Sequence, residues 1–312
     1  MENTSNNILV VGSIALDSIE TPFGKVTDAL GGSAVHFSAS ASYFTRVAMV
    51  GVVGSDFPKN HLQFLKERGV DLQGVQQAAG HSFRWQGKYE FDMNAAQSLK
   101  TELGVFADFK PKIPSTLCRP GILFLGNIEP TLQLEVVKAI ERPRLIACDT
   151  MNYWIEGRRP ELLRTLQAVD ILLINEGEAR ALGGEVNIRK AAAKILQMGP
   201  KRLVIKQGEY GALMFAGDKI FSAPGLPMES VVDPTGAGDS FAGGFLGALS
   251  KMGESQPTED DFRRAVIFGS VMASFNVEKF SCDRLRELSW NEIQARFKMF
   301  QDLSHFSDSH WV

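Results

Sequence analysis

Residues 232–244 of the chain, VDPTGAGDSFAGG, carry its most informative pattern. A proline and two closely spaced glycines predict a tight loop, and the small residues that follow predict a helix beginning near Gly238. That helix is indicated by apolar residues that would share one face: Phe241, Phe245 and Leu249. The loop would present three backbone amides at a helix N-terminus, where N–H groups lack intrahelical partners and the helix dipole is positive. Such a loop is suited to bind an anion such as a phosphate.

Asp239 follows the loop directly, in the first turn of the predicted helix. A carboxylate there can cap the helix, or it can accept the proton of a hydroxyl that attacks a phosphoryl group. The residues alone leave both roles open. The loop is not a Walker A motif, since no GxxxxGKS/T pattern occurs in the chain, and Phe241 occupies the third glycine position of a GxGxxG loop.

Short β-rich runs alternate with helical stretches on both sides of this motif. The first run, Ile8–Gly12, is continuously apolar, as in a strand buried on both faces. Similar runs are Val47–Val53, Ile122–Leu125, Leu145–Ala147, Ile171–Ile174 and Leu203–Ile205. This alternation predicts βαβ units around a mostly parallel sheet. We also expect residues Leu203–Phe215 to form two strands that are joined near Gly208–Gly211. A further strand is expected at Lys219–Ala223, and a last helix near Asn291–Asp302.

One region breaks this rhythm. Residues 73–110 are polar and aromatic, and residues 83–91 alternate with period two, as in a half-exposed strand. With residues 18–27 they predict a small β lid on the main sheet. No linker separates this segment from its flanks, so we expect one domain over residues 1–312. The pattern leaves open whether Phe83 and Trp85 pack the insertion or cover a ligand.

Composition excludes several classes of protein. With 44% hydrophobic and 22% charged residues, the chain is neither disordered nor collagen-like. The net charge of −3 and the lack of a dense Lys/Arg run argue against nucleic acid as a partner. Three widely spaced cysteines favour neither a disulfide framework nor a zinc site, and they favour a reducing cytoplasm. Serines, glycines and a histidine interrupt the charge-free stretch 29–45, and residues 8–16 read as a strand, so we expect no membrane segment and no secretion signal.

The segment VDPTGAGDSFAGGF resembles the C-terminal motif of the PfkB, or ribokinase-like, carbohydrate kinases. A second segment, LGGSAVH at residues 30–36, precedes a small-residue helix and VAMVGVVGSD, and it is similar to the N-terminal Gly-Gly region of that family. The resemblance covers about residues 8–280. It implies a three-layer α/β sandwich with a mostly parallel central sheet, a small β lid, and a kinase that uses ATP and Mg²⁺.

The resemblance also implies roles for individual residues. Asp239 matches the catalytic base, and the anion hole is formed by Gly236, Ala237 and Gly238. The acceptor-binding positions are Asp17, Gly32, His36 and Glu129. The nucleotide-binding positions are Asn175, Glu178, Lys206 and Gly208. Glu178 would also hold Mg²⁺, directly or through water, and Asp233 and Thr235 match positions that hold a monovalent cation such as K⁺ in many members. Four polar residues fall at the ends of predicted strands, with Asp17 at the end of the first, and are expected to share one cleft: Asp17, Glu129, Asp149 and Asn175.

Two positions depart from the family pattern. His36 stands where many sugar kinases of the family have Asn, and Ala15 stands where ribokinase-type members have a polar residue. Both changes would alter acceptor recognition and not phosphoryl chemistry, and they make ribose itself a poor candidate.

The expected reaction is transfer of the γ-phosphoryl group of ATP to a hydroxyl of a small uncharged sugar, polyol or nucleoside. The carboxylates of Asp17 and Glu129 would repel a phosphorylated acceptor, and Arg84 is the one basic residue expected to face it. An alternative is a nucleoside (adenosine-like) kinase. A non-catalytic regulatory protein that binds nucleotide or sugar is disfavoured, because a sensor needs no base at position 239. The lid would pair two subunits into a homodimer, since exposed strand edges need cover.

Overall fold

The computed structural model of the chain describes residues 7–251 and 256–305. The strands are β1 (Ile8–Val11), β2 (Ala15–Thr21), β3 (Gly24–Gly31), β4 (Val47–Gly54), β5 (Asp71–Ala78), β6 (Phe83–Tyr89), β7 (Ala96–Glu102), β8 (Ile122–Leu125), β9 (Leu145–Asp149), β10 (Ile171–Asn175), β11 (Arg202–Lys206), β12 (Ala212–Ala216) and β13 (Lys219–Ala223). The helices are α1 (Ser33–Ala41), α2 (Gln63–Glu67), α3 (Pro130–Ala139), α4 (Asn152–Gly157), α5 (Arg159–Leu166), α6 (Glu176–Gly183), α7 (Ile188–Leu196), α8 (Ala237–Ser250), α9 (Glu259–Asn276), α10 (Asp283–Glu287) and α11 (Trp290–Leu303).

Nine strands form the main sheet, in the order β13-β12-β11-β10-β9-β8-β1-β4-β5. The pairs from β5 to β11 are parallel, and β12 and β13 continue the sheet in antiparallel fashion. At the centre, Ile8 on β1 is in register with Val47 on β4 and with Ile122 on β8. The predicted runs therefore form a mostly parallel sheet, as expected.

Helices cover both faces of the main sheet, which is why its central strands are apolar throughout. Ile8 and Val10 of β1 pack in a core with residues of α1, α8 and α9, such as Phe37 and Phe245. The alternate residues Leu9 and Val11 pack in a second core with residues of α3, α5 and α7. The α/β sandwich of three layers is confirmed.

A second, small sheet has the strand order β3-β2-β6-β7. It contains strands from both segments that were expected to form the lid. The bounds differ, however, because Asp71–Ala78 belongs to the main sheet, where it pairs in parallel with β4 as an edge strand. Its partly buried Leu72 and Val75 pack against the first core, and this contact outweighs the polar character of the segment.

Phe83 packs the insertion and does not line a free face of the small sheet. Its ring stacks on Phe106 at a centroid distance of 5.2 Å, and Phe106 stacks on Phe109 at 5.7 Å. Among the described residues, no helix is long and apolar enough to cross a membrane.

Candidate active site

The glycine-rich loop ends where α8 begins. Gly236 is the N-cap of α8 and has a left-handed φ of 75°. A Cβ atom at this position would lie 2.3 Å from the His36 ring, so only glycine fits the site. The Ala237 amide donates to the Pro234 carbonyl at 3.1 Å and closes the turn, and the anion hole of Gly236, Ala237 and Gly238 stays a prediction. The amides in the first turn of α8 remain the donors suited to an anion.

Lys206 lies at the end of β11, against the first turn of α8. A Cβ atom on Gly238 would be 2.9 Å from its Nζ, so the ammonium group lies directly against the loop. The Nζ atom is 3.5 Å from Oδ2 of Asp149, at the end of β9. Burial lowers the pKa of Lys206, but the nearby carboxylates outweigh burial and hold the pKa above its usual value. The ammonium therefore stays charged within a group of carboxylates from Asp149, Glu178 and Asp239.

Asp239 belongs to this charged group. Burial, followed by the charge of Asp149, raises its pKa to about 7, while Lys206 acts in the opposite direction. The N-cap of α8 is Gly236, without a side-chain hydrogen bond to cap it, so Asp239 is not the N-cap residue of this helix. A carboxyl group with a pKa near neutrality is well suited to accept a proton during catalysis.

Asn175 and Glu178 form a capping box at the start of α6. Glu178 Oε2 accepts from the Asn175 amide and Asn175 Oδ1 accepts from the Glu178 amide, both at 2.8 Å. Glu178 is buried, and burial together with Asp149 raises its pKa to about 7. It is therefore a buried carboxylate of the cleft and not a solvated helix charge.

Gly208 begins a short 3₁₀ turn after β11 and has a left-handed φ of 59°. A Cβ atom there would lie 3.3 Å from Oδ1 of Asn94. Asn94 belongs to the loop that joins β6 to β7, so the small sheet reaches the predicted nucleotide side of the cleft.

Asp17 was expected at the end of the first strand, but it lies within β2, in the small sheet. Its carboxylate is buried and accepts a hydrogen bond from the Gly32 amide. A Cβ atom on Gly31 would come within 1.8 Å of Asp17 Oδ2, so the Gly-Gly pair is needed for this close approach. Burial raises the pKa of Asp17 to about 8, and the charges of Asp233 and Asp239 contribute. Asp17 and Asp239 therefore lie near enough for their charges to interact.

The side chains of Asp233 and Thr235 both form hydrogen bonds. The Asp233 carboxylate accepts from the amides of Thr235 at 2.9 Å and Ser281 at 3.1 Å. The Thr235 hydroxyl donates to the hydroxyl of Tyr89 at 3.2 Å. Tyr89 stands at the end of β6, so the small sheet contacts the glycine-rich loop directly.

Tyr89 belongs to the aromatic segment that the sequence left between packing and ligand contact, and its contact with Thr235 was not predicted. Period-two alternation places Trp85, Gly87 and Tyr89 on one face, and Asp17 is in register with Trp85. The indole N–H donates to the Ser98 hydroxyl at 3.0 Å, and the ring lies over Gly87, where a Cβ atom would be 2.1 Å from it. An aromatic surface thus lies on the strand next to Asp17.

Two other predicted residues have local partners. Glu129 is the N-cap of α3, where it accepts from the Leu132 amide at 3.3 Å and from the Thr131 hydroxyl at 2.9 Å. Its contact with an acceptor stays a prediction. Arg84 donates to Asp56 at 3.0 Å, and Asp56 also accepts from Ser82 and approaches His81.

His36 is buried beneath the loop. Its Nδ1 lies 3.1 Å from Oδ1 of Asn276, and burial lowers its pKa to about 4, so the ring is neutral at pH 7. Asn276, on the last turn of α9, carried no signal in the sequence.

Comparisons with known proteins agree with this geometry. The model of the pfkB family carbohydrate kinases matches residues 135–287. The cytidine kinase of Thermococcus kodakarensis is 31% identical over 82% of this chain and 92% of its own. The solved nucleoside kinase of Methanocaldococcus jannaschii superimposes with a TM-score of 0.72 at 20% identity, covering 94% of this chain and 98% of its own. A ribokinase II from E. coli, solved with ATP and Mg²⁺, has a TM-score of 0.75 at 17% identity, with coverage of 94% and 99%. The chain therefore belongs to the pfkB family of carbohydrate kinases and is an ATP-dependent kinase.

Proposed function

We propose that the acceptor of this kinase is an uncharged nucleoside, phosphorylated on a hydroxyl of its sugar. The observation that carries the proposal is that Asp17 interacts with the charge of Asp239, next to the glycine-rich loop, and is in register with the aromatic residue Trp85 on the neighbouring strand of the small sheet. Support for a nucleoside comes from Trp85, whose indole lies over Gly87 and offers a surface on which a base could stack. The relative named cytidine kinase adds to this support.

The chemistry follows from the placement of the chain's own side chains. Asp239, with a pKa of about 7, takes the proton of the acceptor hydroxyl. A bond forms between that oxygen and the γ-phosphorus of ATP, the bond from this phosphorus to the bridging oxygen breaks, and ADP leaves. The first-turn amides of α8 and the Lys206 ammonium stabilise the negative charge on the group in transit.

Asp17 would hold a second hydroxyl of the acceptor. As a carboxylate it accepts a hydrogen bond from a hydroxyl, and in its protonated form it can also donate one. With a pKa of about 8 in the free protein, both forms are accessible near neutral pH.

Mg²⁺ would be held near Glu178, directly or through water, where it would neutralise charge on the phosphates of ATP. The donor chemistry fits, because Mg²⁺ prefers oxygen ligands and Glu178 is a buried carboxylate beside Lys206.

A monovalent cation such as K⁺ at Asp233 and Thr235 is also part of the proposal. The two carboxylate oxygens of Asp233 each accept an amide hydrogen bond and retain a further lone pair. Turnover in potassium compared with tetramethylammonium salts tests this site.

An uncharged acceptor is favoured by the charges around the cleft. Asp17, Asp233 and Asp239 are close enough to raise the pKa of Asp17, so the acceptor side is rich in carboxyl groups. Arg84, the basic residue that could have clamped a phosphate, is instead paired with Asp56. A phosphorylated acceptor would therefore find no matched cation there, and its charge would be repelled by whichever of these carboxyl groups are ionised.

The test is ATP-dependent turnover against a panel of nucleosides, free sugars and their phosphorylated forms, with Asp239→Asn as the inactive control. We expect a nucleoside to give the highest kcat/KM. A free sugar that outperforms every nucleoside would contradict the nucleoside proposal and leave the uncharged acceptor in place. A sugar phosphate that is the best acceptor would overturn both.

A homodimer through the small sheet is also proposed. The edge strands β3 and β7 have one unpaired side each, and β7 is exposed along its whole length. Exposed apolar side chains of this sheet and its loops are Phe23, Phe91, Leu99 and Leu103. Pairing of two such sheets would cover both features.

A reducing, cytoplasmic location is proposed on the basis of three free cysteines.

A further inference from the structure

A buried network of hydrogen bonds lies beneath the glycine-rich loop and has no part in the chemistry described above. Its centre is Asn276, the last residue of α9, whose side chain is fully buried. The Nδ2 atom donates to the Thr235 carbonyl at 2.8 Å. The Oδ1 atom accepts from the Ser240 hydroxyl at 2.9 Å and lies 3.1 Å from Nδ1 of His36. One amide group therefore links α1, α8 and the loop.

These contacts determine which nitrogen of His36 carries the proton. Because Nδ2 of Asn276 is used by a carbonyl, Oδ1 is the atom that faces the imidazole, and an amide oxygen can only accept. His36 must therefore donate from Nδ1. The ring is neutral, so Nε2 carries no proton and can only accept. Cys282 Sγ lies 3.5 Å from the same Nδ1 and adds a weak contact.

The His36 ring also supports the loop by direct contact. Gly236 lies against it so closely that a Cβ atom would be 2.3 Å from Cγ and Nδ1 and 2.4 Å from Cδ2. Thr235 is tied to Asn276 through its carbonyl, and Gly236 rests on the ring that Asn276 orients. These two residues immediately precede α8, so their backbone geometry decides where the first-turn amides of α8 and the Asp239 carboxylate point.

We propose that His36 and Asn276 form one positioning unit that holds the Thr235–Gly236 backbone in the geometry required for phosphoryl transfer. This role replaces the acceptor contact that the family resemblance implied for His36, and it rests on the proposed kinase function. A positioning unit acts on the transition state, because misplacement of catalytic groups lowers turnover. It leaves ground-state binding of the acceptor largely intact. The two residues share a hydrogen bond and support adjacent residues of the loop, so the effects of their substitutions should be less than additive.

The kinetic experiment uses His36→Phe, Asn276→Leu and the double variant. Phe keeps a ring against Gly236 but lacks the Nδ1 donor, and Leu keeps the volume of Asn without the amide. We expect kcat to fall about 10–100-fold in each variant, with the acceptor KM within about twofold and the double variant no worse than the poorer single variant. The control is Ser250→Ala, which removes a buried 2.8 Å hydrogen bond from the Ser250 hydroxyl to the Gly247 carbonyl, at the opposite end of α8 from the loop. It should lose stability and keep kcat.

Three kinetic outcomes overturn the proposal. A raised acceptor KM at unchanged kcat in His36→Phe would make His36 an acceptor contact, and additive losses in the double variant would show that the residues act separately. A comparable fall of kcat in Ser250→Ala would show a general packing effect.

A second measurement needs no activity and no stable variant. Long-range ¹H–¹⁵N correlation spectra of the wild-type protein at pH 7 report the protonation of each imidazole nitrogen. We expect His36 to be neutral with its proton on Nδ1, and a proton on Nε2 would overturn the network. If the spectra agree but the wild-type protein phosphorylates no nucleoside, sugar or polyol, then the proposed function is wrong while the network stands, and the positioning role falls with that function.

Discussion

Replacement of Asp239 by Asn is expected to lower the turnover of the kinase and to raise the stability of its fold. The general-base role predicts a loss of turnover of about 10²–10⁴-fold with nucleotide affinity retained. The raised pKa also predicts a gain in stability. The folded-state pKa is about 7 and the ordinary value is 3.8, a difference of about three units. At about 1.4 kcal/mol per unit this amounts to about 4 kcal/mol. Residual exposure of Asp239 to the cleft screens the charge, so we expect about 2–4 kcal/mol.

The sign and the pH dependence of this stability difference follow from the linkage between folding and proton binding. The folded protein binds the Asp239 proton more tightly than the unfolded chain does, so this carboxyl group favours folding below pH 3.8. That contribution is lost as the pH rises to about 7. Asn does not titrate. The advantage of Asp239→Asn over the wild-type protein should therefore be about 1–2 kcal/mol at pH 5 and should reach its full value at pH 8.

The assay is urea unfolding of both proteins at pH 5 and pH 8 without nucleotide, alongside turnover. The matched control is Asp218→Asn, an exposed aspartate in the turn between β12 and β13, which should change neither stability nor turnover. Near wild-type turnover in Asp239→Asn would remove Asp239 from the mechanism. A variant that is no more stable than the wild-type protein at pH 8 would show that the carboxylate is not held in a buried site beside Asp149.

Three further outcomes are expected. Lys206→Met removes the charge that opposes the rise in the pKa of Asp239, so the acid limb of the pH–rate profile should move up by about 1 pH unit; an unmoved limb would separate Lys206 from the base. In direct competition, an acceptor should be turned over far better than its phosphorylated analogue, and preference for the phosphorylated form would point to a basic clamp that the structure does not place. Leu99→Lys, on exposed β7, should convert a dimer to a monomer in light scattering with an unchanged Tm. A wild-type protein that stays monomeric at high concentration would contradict the dimer.

Local patterns in the sequence determined a large part of the fold. The continuously apolar runs form the parallel strands, because a strand covered by helices on both faces has no solvent-exposed face. Residues 232–244 predicted the loop and the start of α8, because glycines and the helix that follows are specified by neighbours in the chain. The spacing of three between Asn175 and Glu178 is also a local pattern, and in the structure the two residues form a capping box at the start of α6.

Only the tertiary structure decided which of these polar residues meet and in what state of charge. The polar character of residues 73–110 predicted that most of Asp71–Ala78 belongs to the lid. Its packing against the core instead makes it an edge strand of the main sheet. Burial beside other carboxyl groups sets the pKa of Asp17 near 8, and nothing in its flanking residues reports that burial. His36 and Asn276 are 240 positions apart, and their hydrogen bond exists because α1 and α9 pack on the same side of the sheet. Short-range periodicity can specify an element and its buried face, but contacts between distant elements depend on how whole layers pack, and the charges of the site follow from those contacts.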